Sequence, residues 1–186
     1  AGNEEIQGSP FLSQIKPNKL KASHSLVQGD GLTWCSAGSV GAFTVIARDS
    51  WDNYISTGGE DIWVRISGAA SVNPSVADHQ DGTYIITWRP LISGEYTIAL
   101  SAGGDTFNGC PFRALVSPGL TYASNTACLG DGLCAAVSGR PAQFTILSKD
   151  QHGNASLNAG TGAATVVPDS YRVVLDFVSS VQSHKD

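Results

Sequence analysis

Apolar and polar residues alternate with a period of two along most of the chain. Phe43, Val45 and Ala47 fall on one face of their segment. Ile62, Val64 and Ile66 alternate with Trp63, Arg65 and Ser67, so the first set faces inward and the second outward. Tyr84, Ile86 and Trp88 repeat the pattern, as do Tyr96, Ile98 and Leu100, and again Phe112, Ala114 and Val116. A period of two is the signature of a half-buried strand. Turn formers separate the segments: Asp52-Asn53, Gly58-Gly59, Asp81-Gly82 and Ser93-Gly94. No segment keeps a helical period between two caps. The pattern predicts an all-β chain of short antiparallel strands packed as a sandwich.

The chain also repeats itself. Gly8-Ser9-Pro10-Phe11 returns as Gly109-Cys110-Pro111-Phe112, and the GDGL at Gly29 returns at Gly130, both at an offset of 101 residues. FTVIARDSWDN from Phe43 matches FTILSKDQHGN from Phe144, and Ala22-Ser23 matches Ala123-Ser124, in the same register. A unit of this length is a normal size for one small domain with its own core. The expected organisation is therefore tandem: residues 1–16 as the tail, or last strand, of a preceding unit, 17–117 as a complete unit, and 118–186 as the N-terminal part of a following unit. About seven short strands per unit fit an immunoglobulin-like sandwich.

Composition removes several functions. With 21 Gly, 8 Pro and 41% hydrophobic residues the chain is globular and rich in turns. Its 11 Lys+Arg against 16 Asp+Glu leave a net charge of −5, which argues against a nucleic-acid surface. No apolar run approaches the roughly 20 residues that span a bilayer, so direct membrane insertion by this segment is not expected. His24, His79, His152 and His184 lie scattered in turns without a partnering nucleophile. Asp78, His79 and Asp81 cluster at a turn and are read as solvated, and GDGL lacks the Lys of a phosphate loop. No catalytic residue, cofactor or metal is expected, and the chain is not expected to be an enzyme.

The back half of the complete unit carries a recognisable phrase. Asp81-Gly82-Thr83-Tyr84, Pro90, Gly94-Glu95-Tyr96 and Gly109-Cys110-Pro111-Phe112 together resemble the signature of a filamin-type immunoglobulin-like repeat, with Cys110 in place of the family's Ser. The resemblance covers nearly the whole chain and implies tandem filamin-type sandwiches. It also implies roles for the phrase: Gly82 for a turn at positive φ, Tyr96 as a tyrosine-corner residue, and Pro111 at the opening of an edge strand. Such repeats bind partners mainly by strand addition between their third and fourth strands. Carried onto this chain, that edge is Ile62, Trp63, Val64, Arg65, Ile66 and Ser67, with Ala70, Ser71 and Val72 opening a fourth strand over 70–76. Trp63 is the candidate anchor, and Asn73-Pro74 interrupts the fourth strand. The same edge is expected at 170–180 of the following unit. The implied partners are another protein at an exposed sheet edge and the neighbouring repeats of the same chain.

Four cysteines divide two and two: Cys35 and Cys110 in the complete unit, Cys128 and Cys134 in the following one. Even counts are what disulfides within each unit would leave. The resemblance implies a Cys35–Cys110 bond, because the segment carrying Cys35 runs beside the last strand in that fold. Cys128 and Cys134 flank a turn that a short disulfide would close. Free thiols in a cytosolic protein are the alternative; zinc spacing is absent. Asn154-Ala155-Ser156 is a glycosylation acceptor sequence, expected in a turn. Paired cysteines and a glycan point to an extracellular or cell-surface adhesion array, similar to the gamete-attachment proteins of plants and algae. The alternative is an intracellular scaffold or crosslinker of the cytoskeleton or cilium. Exchange of the 8–15 strand between copies, giving a head-to-tail fibre, is a further possibility that sedimentation would test.

Overall fold

The computed structural model describes residues 6–135 and 137–156. The expected edge at 170–180 and His184 lie outside them. Nine strands precede residue 118: β1 (Leu26–Gln28), β2 (Trp34–Ser36), β3 (Gly41–Ile46), β4 (Ile62–Gly68), β5 (Ser75–Asp78), β6 (Thr83–Trp88), β7 (Gly94–Ala102), β8 (Asp105–Thr106) and β9 (Phe112–Ser117). Two more follow among the described residues, β10 (Ala127–Leu129) and β11 (Thr145–Leu147).

Two sheets form the sandwich. One has the order β1-β3-β6-β5; the other has the order β2-β9-β7-β4, with β8 paired to β7. All pairings are antiparallel except β2 with β9. The inward residues are those the alternation selects. Phe43, Val45, Tyr84, Ile86 and Trp88 from one sheet meet Ile66, Tyr96, Ile98, Leu100, Ala114 and Val116 from the other, and all are buried. Burying each of the larger side chains stabilises the fold by about 1.5–3 kcal/mol. Val64 and Phe112 are only half-buried and pack against the rim of this core.

Local chemistry fixes the turns. The Tyr96 hydroxyl donates to the Ile92 carbonyl at 2.8 Å, the tyrosine corner that the sequence implied. Its ring lies 5.5 Å from that of Trp88, tilted by 57°, a favourable edge-on arrangement. Trp88 Nε1 donates to the Gly31 carbonyl at 3.1 Å, tying the turn after β1 to the core. Gly82 sits at φ 84°, beneath the Ile55 carbonyl.

Residues after 117 rebuild the opening of the sandwich. β1 pairs with β3 through Leu26 to Ile46, and β10 pairs with β11 through Ala127 to Leu147, each partner 101 residues further on. The 3₁₀ turn Asp30–Leu32 has its counterpart in Asp131–Leu133, and Gly29 and Gly130 before them share φ values of 139° and 132°. The repeat seen in the sequence is thus a repeat of backbone geometry.

One element differs from expectation. The fourth strand begins at Ser75, not at Ala70. Asn73-Pro74 accounts for the delay, since Pro cannot donate and restricts the residue before it. Ala70, Ser71 and Val72 belong to the connection and turn back toward β4.

Candidate functional site

β4 is the last strand of its sheet and β5 the last strand of the other, and the two are consecutive in the chain. β4 pairs with β7 on one side, Ile62 opposite Ala102 through Gly68 opposite Tyr96. Ile62 and Ile66 are buried, whereas Trp63 is 54% exposed and Arg65 is also exposed. The anchor expected from the sequence therefore stands in solvent. On β5, Ser75, Val76 and Ala77 are all exposed.

The connection between these strands covers part of the edge. Val72 forms an antiparallel bridge with Ile66, its N–H donating to the Ile66 carbonyl at 3.4 Å. Backbone groups of successive strand residues alternate in direction. If Ile66 points its groups away from β7, so do Val64 and Ile62. Among the described residues no strand pairs with these two positions on that side. Their N–H and C=O groups form a short open ladder beside Trp63. Such an edge is a template for an added strand.

The other polar clusters serve turns. Asp78 accepts the N–H of Gly59 and both the N–H and the side-chain amide of Gln80, each at 2.8 Å. Asp81 accepts the Thr83 N–H at 2.9 Å and its hydroxyl at 2.6 Å, and these bonds hold its carboxyl below the ordinary range. With His79 exposed beside them, the trio closes the β5–β6 turn.

The cysteines are placed less simply than expected. All four are free thiols in the structure. Cys35 is opposite Val116 in the parallel β2–β9 pairing, while Cys110 precedes Phe112, the first residue of β9. Phe112 to Val116 alone spans about 13 Å of strand, against a Cα limit of about 7 Å for a disulfide. This register separates Cys35 from Cys110, contrary to the pairing that the resemblance implied. Burial pushes both thiols up in pKa. Cys128 and Cys134 are exposed on either side of the Asp131–Leu133 turn.

Asn154 departs furthest from expectation. It is buried, not solvated. Its Nδ2 donates to the Leu91 carbonyl at 2.8 Å and to Asp150 Oδ2 at 2.7 Å, and its Oδ1 accepts the Ser93 N–H at 2.9 Å. Both amide hydrogens that a glycan acceptor must expose are engaged. Asp150 collects further bonds from the N–H groups of Gly119, His152 and Asn154. Burial raises its pKa, but these bonds outweigh burial and leave it lowered. The signal for this network was present in the sequence: Asp and Asn stand four residues apart in both FTVIARDSWDN and FTILSKDQHGN.

Two facing sheets of immunoglobulin-like topology, a tyrosine corner and consecutive edge strands left open define a structural and binding sandwich. The chain belongs to the filamin repeat family: the family model for the Filamin/ABP280 repeat matches residues 19–113. Filamin-C of Rattus norvegicus is 34% identical over 119 residues, covering 61% of this chain and 4% of that protein. The E3 ubiquitin-protein ligase TRIM71 of Mus musculus is 30% identical over 96 residues, covering 50% of this chain and 11% of that protein. The chain thus spans only a small part of the length of either relative. Among solved structures, the Lin-41 filamin domain aligns over its whole length with 55% of this chain, at a TM-score of 0.50 and 21% identity. The Escherichia coli adhesin FdeC aligns over 77% of this chain and 46% of its own, at a TM-score of 0.59 and 22% identity. At these identities the structural matches speak for the fold. The filamin-type sandwich is a non-enzymatic, protein-binding architecture.

Proposed function

We propose that the chain works as an array module that holds a partner protein by strand addition. The partner's extended segment adds to β4 along Ile62–Arg65, with Trp63 as its side-chain anchor. The observation that carries this reading is the unpaired ladder at Ile62 and Val64, bounded by the chain's own Val72 at Ile66. The occupied end keeps the acceptor short, so affinity depends on the side chains that meet Trp63 and the exposed face of β5 as well as on backbone bonds.

The test is selection of extended peptides on the full chain, followed by amide NMR. Bound peptides are expected to shift the signals of Ile62 and Val64 first and to lose affinity on Val64→Pro. Val64 offers its N–H to the open side, so this substitution removes no pairing with β7. Peptides that bind elsewhere, or that bind Val64→Pro equally, overturn the reading.

The setting we propose is the cell surface, as an adhesion array. Its support is now the Cys128–Cys134 pair, two exposed cysteines at the ends of one turn. Cys35–Cys110 and Asn154 no longer add to it. Intact mass after alkylation of the natively purified chain decides the point. One disulfide leaves Cys35 and Cys110 as the alkylatable thiols before reduction. Four free thiols move the module to the alternative setting, an intracellular scaffold.

A further inference from the structure

Independently of the β4 edge, the Asn154 network carries a second surface. The Asp150–Asn154 turn docks onto the complete sandwich at the Leu91–Ser93 turn through Asn154. His152 lies against the same sandwich at Gly38, where an added Cβ would stand 2.5 Å from its Nε2. Arg89 Nε donates to the Gly38 carbonyl at 2.7 Å and the Gly38 N–H donates to the Pro90 carbonyl at 2.7 Å, so the receiving surface is one braced unit. This is a junction between consecutive repeats, with a polar clasp at its centre.

The complete sandwich owns the same turn, 101 residues earlier. Asp49 takes the place of Asp150, and the Asn18 N–H bonds Asp49 at 3.0 Å as the Gly119 N–H bonds Asp150 at 2.8 Å. Asp49 accepts the N–H groups of Trp51 and Asn53 just as Asp150 accepts those of His152 and Asn154. The turn is therefore built, but among the described residues no other repeat sits on it; only its Asp52 is met, by His24 of the same sandwich at 2.9 Å. Trp51, the counterpart of His152, is 68% exposed. Asn53, the counterpart of Asn154, is exposed, and its side-chain amide reaches only Asp49 among the described residues, at 3.1 and 3.2 Å.

We propose that the Trp51–Asn53 turn is the docking surface for a preceding repeat of the same type, with Asn53 clasping the counterpart of its Leu91–Ser93 turn and Trp51 covering the counterpart of Gly38. The leading segment identifies the occupant. Phe11 and Ile15 correspond to Phe112 and Val116 of β9, yet they are 72% and 93% exposed where Val116 is 1% exposed. They are the apolar face of a last strand whose sandwich would stand beside this turn. Successive repeats then share one fixed orientation, set by the same Asp-x-x-x-Asn turn at each junction.

The experiment compares the full chain with one in which residues 1–7 are replaced by a copy of residues 17–108, so that Gly8 continues the copy in register; the copy carries the equivalents of Trp51→Phe and Trp63→Phe, so that the peptide holding Trp51 and Trp63 occurs once. Hydroxyl-radical footprinting with peptide mass spectrometry reads each tryptophan separately. Oxidation of Trp51 is expected to at least halve in the extended chain, with Trp63 unchanged. Equal oxidation of Trp51 in both overturns the proposal. If the extension misfolds, seen as oxidation of the buried Trp88, the clasp is tested in the unextended chain. There, Asn154→Ala is expected to speed amide exchange at Ser93 by about tenfold or more, as for loss of a buried hydrogen bond. Unchanged exchange at Ser93 removes the clasp from which the docking surface is inferred and overturns it as well.

Discussion

Gly82 closes the turn between β5 and β6, against the backbone of Ile55, and its replacement by Ala gives a sharp test of the packing. At φ 84° the residue occupies left-handed space, and an added Cβ would stand 1.7 Å from the Ile55 carbonyl oxygen. The backbone term is about 1–2 kcal/mol for a non-glycine residue. The steric term cannot relax through a side chain, because the obstacle is backbone. Ile55 is held by its N–H to the Ala47 carbonyl at 3.0 Å, and the Ala47 N–H in turn bonds the Gly82 carbonyl at 2.9 Å. Moving Ile55 breaks one of these bonds, at about 1 kcal/mol, on top of about 1–3 kcal/mol for overpacking. Gly82→Ala is therefore expected to cost about 3–6 kcal/mol in total. Gly103→Ala is the control, since Gly103 has φ 57° with nothing within 4 Å of the added Cβ. It carries the backbone term alone. Urea unfolding followed by near-ultraviolet circular dichroism of the Trp88–Tyr96 pair reads both variants. The midpoint of Gly82→Ala is expected to lie about 1–2 M below that of Gly103→Ala for a slope of about 2 kcal/mol/M. Variants within about 1 kcal/mol of each other would refute the reasoning and mean that the β5–β6 turn yields.

Tyr96→Phe removes only the hydroxyl that donates to Ile92, and is expected to cost about 1 kcal/mol in the same unfolding assay. Asp49 has its carboxyl held down to about 2, first by the Asn18 N–H, against a smaller opposing effect of burial, and then by Asn53 and Trp51. A lowered pKa stabilises the fold above the unfolded value of about 3.9. That contribution should disappear as pH falls from about 4 toward 2, and Asp49→Asn should flatten the acid limb of a thermal-stability profile. If the thiols are free, Cys128 and Cys134 are expected to react with a disulfide reagent well before Cys110 and Cys35, which are less exposed and raised in pKa by burial. Asn154 is expected to stay unglycosylated when the chain is secreted from a glycosylating host, as read by peptide mass spectrometry; full occupancy would contradict its burial.

The part of the fold that is legible in the sequence is the part set by local alternation. Phe43, Val45, Tyr84 and Ile86 face inward because a strand with one buried face can place them nowhere else. β1 and β2 span three residues each, too few for a period to show, so alternation does not reveal them. Register is the second limit. Cys35 and Cys110 do sit on neighbouring segments, but the parallel alignment sets Cys35 against Val116, and no local pattern encodes that offset. Asn154 shows the third limit. A sequon is defined by three adjacent residues, whereas its accessibility is decided by Leu91 and Ser93, more than sixty positions away.

The internal repeat supplies what the local pattern lacks, because it separates what every unit needs from what one junction needs. Asp49 and Asp150 are the same residue in both copies, and both organise their own turn and pin the segment leading into the unit. That is a requirement of the fold. The Asn four positions later is also the same, but among the described residues only Asn154 has a neighbouring unit to clasp. Both side-chain amides bond their own Asp, so the Asn of each copy is held in the same place and presented to the neighbour proposed above. Trp51 and His152 differ at the position between them, and both are large, planar side chains on the outward side of the turn. They suit a surface that covers another backbone at a glycine, where no side chain intervenes. If the Trp51–Asn53 turn receives a preceding repeat as proposed, the geometry of the array is set at its junctions, and the proposed β4 edges recur along it at fixed intervals.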